Sequence, residues 1–76
     1  MNYAAEMETK KVIFVLEGIV LGLLENRKSL QMNLAESASG DMGVDDALVS
    51  MIKVVENGIK DMNKRILDLQ NRLAND

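Results

Sequence analysis

From Leu48 onward, apolar residues recur at alternating spacings of four and three: Leu48, Ile52, Val55, Ile59, Met62, Ile66, Leu69 and Leu73. That is an unbroken heptad, with Ile52, Ile59, Ile66 and Leu73 at a and the others at d. Such a stripe occupies one side of a helix and must be covered by a second helix. Acid-first pairs at i,i+4 flank it: Glu56–Lys60, Asp61–Arg65 and Asp68–Arg72. Each contributes only about 0.2–0.5 kcal/mol, so the apolar seam decides where this helix goes.

The first half of the chain holds a matching seam of Ile13, Leu16, Val20, Leu23, Leu30 and Leu34, with Arg27 at the one polar a position. Residues 12–24 carry more than the seam. They read VIFVLEGIVLGLL, so Val12, Phe14, Val15, Ile19, Leu21 and Leu24 lie off the stripe. A helix apolar nearly all round is buried on more than one side. With no Pro in the chain, nothing breaks either helix internally.

Between the two seams, residues 36–46 concentrate two Gly, two Ser and three Asp, a composition suited to a turn. Gly40 is a candidate helix stop. Asp41 or Asp45 is a candidate N-cap for the second helix. The expected fold is all-α, a single helical-hairpin domain over residues 1–76: a helix over about 4–36, a turn over about 37–45 and a helix over about 46–74. Antiparallel pairing about this turn makes facing residue numbers sum to about 81, which brings Glu17 near Lys64 and Lys11 near Asp68 and Gln70.

A single hairpin leaves the far face of residues 12–24 uncovered, and a 76-residue chain has little core to spare. Self-association answers both. Gly18 and Gly22 sit near the middle of the first helix, each costing about 1 kcal/mol relative to Ala, which suggests a packing reason. Two first helices crossing antiparallel near these glycines give a homodimer of hairpins, a four-helix bundle with coiled-coil-like packing. The expected oligomer interface is Phe14, Val15, Gly18, Ile19, Leu21 and Gly22. Trimers or tetramers stay open, because Ile at a does not insist on two strands.

The GxxxG in an apolar stretch also resembles a dimerising membrane helix. The run is thirteen residues long, closed off by Lys10, Lys11, Glu25 and Arg27; a span needs about twenty. Arg27 is a buried register device, a contact for an acidic partner, or a guanidinium snorkelling out beside Glu25 or Glu56. Glu36, Asp41, Asp45 and Asp46 make the turn end acidic, but the alternating ligand spacing of a calcium loop is absent. Val44, Ala47, Met51 and Val54 form a short second stripe beside the second seam. With Met42, an apolar residue in a polar loop, they make a possible partner surface; the same residues could equally be further dimer core.

Composition excludes several chemistries. The chain has no Cys and no His, so there is no disulfide framework, no ordinary zinc site and no imidazole base. One Tyr and one Phe are too few to stack bases, and neither half is basic: four cations face five anions in residues 1–38, and five face seven in residues 39–76. Ser29, Ser37, Ser39 and Ser50 have no base beside them. Ser50 is followed four residues on by Val54, which departs from the Ser-x-x-x-Asp motif of the small sporulation phosphatases.

The expectation is therefore a non-enzymatic, homo-oligomeric protein that acts by protein–protein interaction as an adaptor, inhibitor, chaperone or regulator, with no cofactor, no metal and no nucleic-acid partner. In size and architecture alone it is similar to small bacterial or phage helical-hairpin regulators. A purely structural self-assembling unit is the alternative. A peripheral membrane protein using residues 12–24 is a weaker one. A ligand-binding bundle has no polar handle to argue for it. Residues 1–11 mix Glu6, Glu8, Lys10 and Lys11, and no small-residue cleavage site follows, so a cytoplasmic location is the default expectation.

Overall fold

The computed structural model describes residues 2–36 and 42–75. Helix α1 runs Tyr3–Glu36 and helix α2 runs Met42–Ala74. The side chain of Asn2 caps α1, its Oδ1 accepting a hydrogen bond from the Ala5 amide at 2.8 Å. The first helical turn closes beside it, with the Glu6 amide donating to the Asn2 carbonyl at 2.9 Å. Helix α2 begins at Met42, earlier than the turn composition suggests. Asp45 therefore lies in its first turn, near the positive end of the helix dipole, instead of capping it. The other candidate cap, Asp41, and the candidate stop, Gly40, lie outside the described residues.

The helices pack antiparallel along the two seams. Every expected seam residue of both helices is buried or half-buried. Glu6 and Thr9 continue the α1 seam toward its N-terminus, where the Thr9 hydroxyl donates to the Ala5 carbonyl at 2.8 Å. The expected register holds. Leu23 faces Gly58, where a Cβ would lie 3.4 Å from the nearer Leu23 methyl. Leu16 flanks Leu69 at one end of the hairpin, and Leu30 flanks Val55 at the other.

The core is thin. Ile13, Ile59 and Ile66 are the buried hydrophobics, at 8%, 9% and 9% exposure, and among the described residues no large side chain is completely enclosed. The molecule measures 58 × 14 × 13 Å with a radius of gyration of 17.3 Å. A compact chain of this length would have a radius of gyration of about 11 Å. Its accessible surface is 5718 Å², against about 4,600 Å² for a compact monomer of its mass. Two rods side by side share one line of contact, and the excess surface is the consequence.

The expected ion pairs contribute little to this architecture. Glu6 Oε1 and Lys10 Nζ pair at 3.1 Å on the α1 surface. Among the described residues, the pairs expected along α2 do not close, nor do Glu17–Lys64 and Lys11–Asp68. Long, exposed side chains lose entropy when held together in water, and this offsets most of the Coulomb gain.

Stability should follow the seam. Ile66→Ala is expected to lower the unfolding free energy in urea by about 2–4 kcal/mol. Leu67→Ala, one residue away and 56% exposed, should change it by less than about 0.5 kcal/mol. Equal losses at the two positions would contradict the single-seam core.

Candidate functional site: the uncovered faces of the hairpin

The α1 seam occupies the a and d positions of the heptad, which places Phe14 and Leu21 at b, Val15 and Gly22 at c, and Gly18 at f. These positions point away from α2. Phe14 is 78% exposed, Leu21 65% and Val15 58%. Val12 and Ile19, at g on the flank, are each 45% exposed. Leu24, expected off the seam with them, is half-buried, because position e borders the contact with α2. A Cβ added at Gly18 or Gly22 would meet nothing within 4 Å. Neither glycine is required by the packing of α1 on α2. At Gly58, in contrast, the added Cβ would touch Leu23.

The six residues expected to form an oligomer interface thus lie together on one outward face of one helix. It is an apolar face whose middle carries two positions without side chains, Gly18 and Gly22. Lys11 and Glu25 stand at its ends, and both are exposed. Exposed apolar patches of this extent on a small chain mark interaction sites.

A second apolar area lies toward the turn end of the hairpin. Asn26, Ser29 and Leu30 of α1 and Ser50, Met51, Val54 and Val55 of α2 line an open groove of about 520 Å³. Met51 and Val54, two members of the expected partner stripe, form its α2 wall. Val44 is exposed but is not part of this groove. The side chain of Met42, the remaining member, lies outside the described residues. Asn26 and Ser29, which form its α1 side, had no signal in the sequence; only the register of the hairpin puts them opposite Met51.

Arg27 is half-buried in the seam between Leu23 and Leu30. It makes no ion pair with Glu25 or Glu56 among the described residues. Within the same set, no group of three or more acidic residues is gathered as a metal-binding cluster, and no helix is long and apolar enough to cross a membrane.

No family model, no curated protein and no solved structure matches this chain. The reading of its surfaces rests on their own geometry.

Arg27 supplies a test of the seam's polar interruption. Replacing a half-buried cation by an aliphatic residue extends the apolar contact. Arg27→Leu is expected to raise hairpin stability by about 1 kcal/mol, read as a higher urea midpoint. A drop in stability would show that the guanidinium makes a contact the hairpin needs.

Proposed function

We propose that this chain is a non-enzymatic helical protein that self-associates through the outer face of α1 and acts by binding another protein. One observation carries this reading: residues 12–22 are apolar on the side of α1 that α2 does not cover, with Phe14, Val15 and Leu21 all more than half exposed. Water contact over such a face is unfavourable by about 25 cal/mol for each Å² left exposed. A second copy is the partner present at every concentration of the protein, and a two-fold pairing uses one patch twice. The product is the four-helix bundle expected from the seams.

The groove at Met51 and Val54 supports the second half of the reading. It lies between the two helices toward the turn, away from the centre of the α1 face, so a dimer through that face leaves it accessible. Its walls are aliphatic with Asn26, Ser29 and Ser50 at the margin, the kind of surface that accepts the apolar stripe of a partner helix. The same groove favours one alternative. If it received the α1 face of another copy, the contact would be head-to-tail and would not close, giving a self-assembling scaffold.

Light scattering across a wide concentration range separates these readings. The wild type should have the mass of two chains. Phe14→Glu should reduce it to one chain while circular dichroism retains helix. Met51→Glu should leave the two-chain mass unchanged. Growth beyond two chains, suppressed by Met51→Glu, would replace the interaction-protein reading with the scaffold. A wild type with the mass of one chain would remove self-association altogether.

A further inference from the structure

We infer that the two copies dock antiparallel with the two-fold axis at Gly18, so that Lys11 of each copy meets Glu25 of the other. This rests on the proposal that α1 self-associates, and it adds the register and the groups that enforce it.

Charge along α1 is arranged symmetrically about Gly18. A two-fold axis perpendicular to an antiparallel helix pair brings each residue before the axis beside the residue equally far after it. Lys11 is seven residues before Gly18 and Glu25 is seven after, and all three share heptad position f. The pairing joins opposite charges, and symmetry makes it twice. Both side chains are exposed, and among the described residues neither makes an ion pair inside its own hairpin. The neighbouring Lys10, in contrast, is engaged by Glu6 at 3.1 Å. At a rise of about 1.5 Å per residue, Lys11 and Glu25 stand about 10 Å from the axis, at the edge of the apolar area.

Shape agrees with charge. Gly18 and Gly22 leave open space on this face where a Cβ would be, beside Phe14, its most exposed large side chain. At the axis Gly18 meets its own copy, so two backbones approach where neither has a side chain.

Other arrangements lose this match. An axis midway between the two glycines sets Lys11 level with Ser29. A parallel in-register pair sets Lys11 against Lys11 and Glu25 against Glu25. An anionic lipid surface gains no net attraction from this face, where Glu8 and Glu25 offset Lys11 and Lys28.

The test uses the absence of cysteine from the natural chain. Gly18→Cys, oxidised in dilute solution, should be trapped as a covalent two-chain species, because equivalent residues meet only on the axis. Met32→Cys, exposed on the same side of α1, should not be trapped. Independently, sedimentation equilibrium at low salt should show Lys11→Glu and Glu25→Lys each weakening dimerisation by about tenfold, since two attractions become two repulsions. The double variant carrying both exchanges should return to within about threefold of the wild type. Failure of trapping at Gly18, together with a double variant as weak as the singles in a protein that still dimerises, would overturn this register and leave self-association standing. A wild type that stays monomeric would overturn both.

Discussion

The aliphatic contact between the α1 and α2 seams carries the hairpin, and two helices side by side can make no second contact of that kind. Its register is visible where Leu23 meets Gly58: a missing side chain on α2 admits the Leu methyls of α1. From there the seams run in step to both ends. Because a helix partner covers only one side, even the best-placed residues, Ile13, Ile59 and Ile66, keep some contact with water. The elongated shape and the large surface follow from this one constraint.

The two helices respond to it differently. Past Val55, helix α2 has a narrow apolar stripe and a largely polar remainder, as a helix covered on one side requires, while its first half also exposes Val44, Met51 and Val54. Helix α1 does not fit the same description. Its middle third is apolar toward α2 and away from it, and Phe14 and Leu21 stay 78% and 65% exposed. The glycines make the same point from the side of backbone cost. Gly18 and Gly22 lower the helix propensity of α1 and are not required by any contact within the chain. A second copy covering that face would account for the apolar residues, the glycines and the paired charges around them at once.

Much of this was legible in the sequence because heptads report on one thing directly, the side of a helix that is buried. The fourteen apolar seam positions could be read this way, and a short turn was enough to set which stretches of the two helices face each other. The start of α2 was less legible. Gly43 and the two Asp residues look like turn formers, yet Gly43 and Asp45 sit in the helix, where Asp45 is favoured by the dipole. The Asn2 cap was missed because one Asn beside the N-terminus carries no periodic signal. Among the described residues, the ion pairs expected along α2 and between the helices do not close, for a different reason: spacing shows which charges can meet, but not whether meeting in water is worth the lost freedom. The groove beside Met51 needed both helices in register before Asn26 and Ser29 could be seen to belong to it.

The central claim is that the outer face of α1 is covered by a second copy lying alongside the first. Small-angle X-ray scattering on the unmodified protein, with absolute intensity over a dilution series, tests it most directly. The account predicts a particle with the mass of two chains and a longest dimension close to the 58 Å of one hairpin, because an axis near the middle of α1 stacks the hairpins side by side. A particle with the mass of one chain, or one whose length grows with concentration, would contradict it.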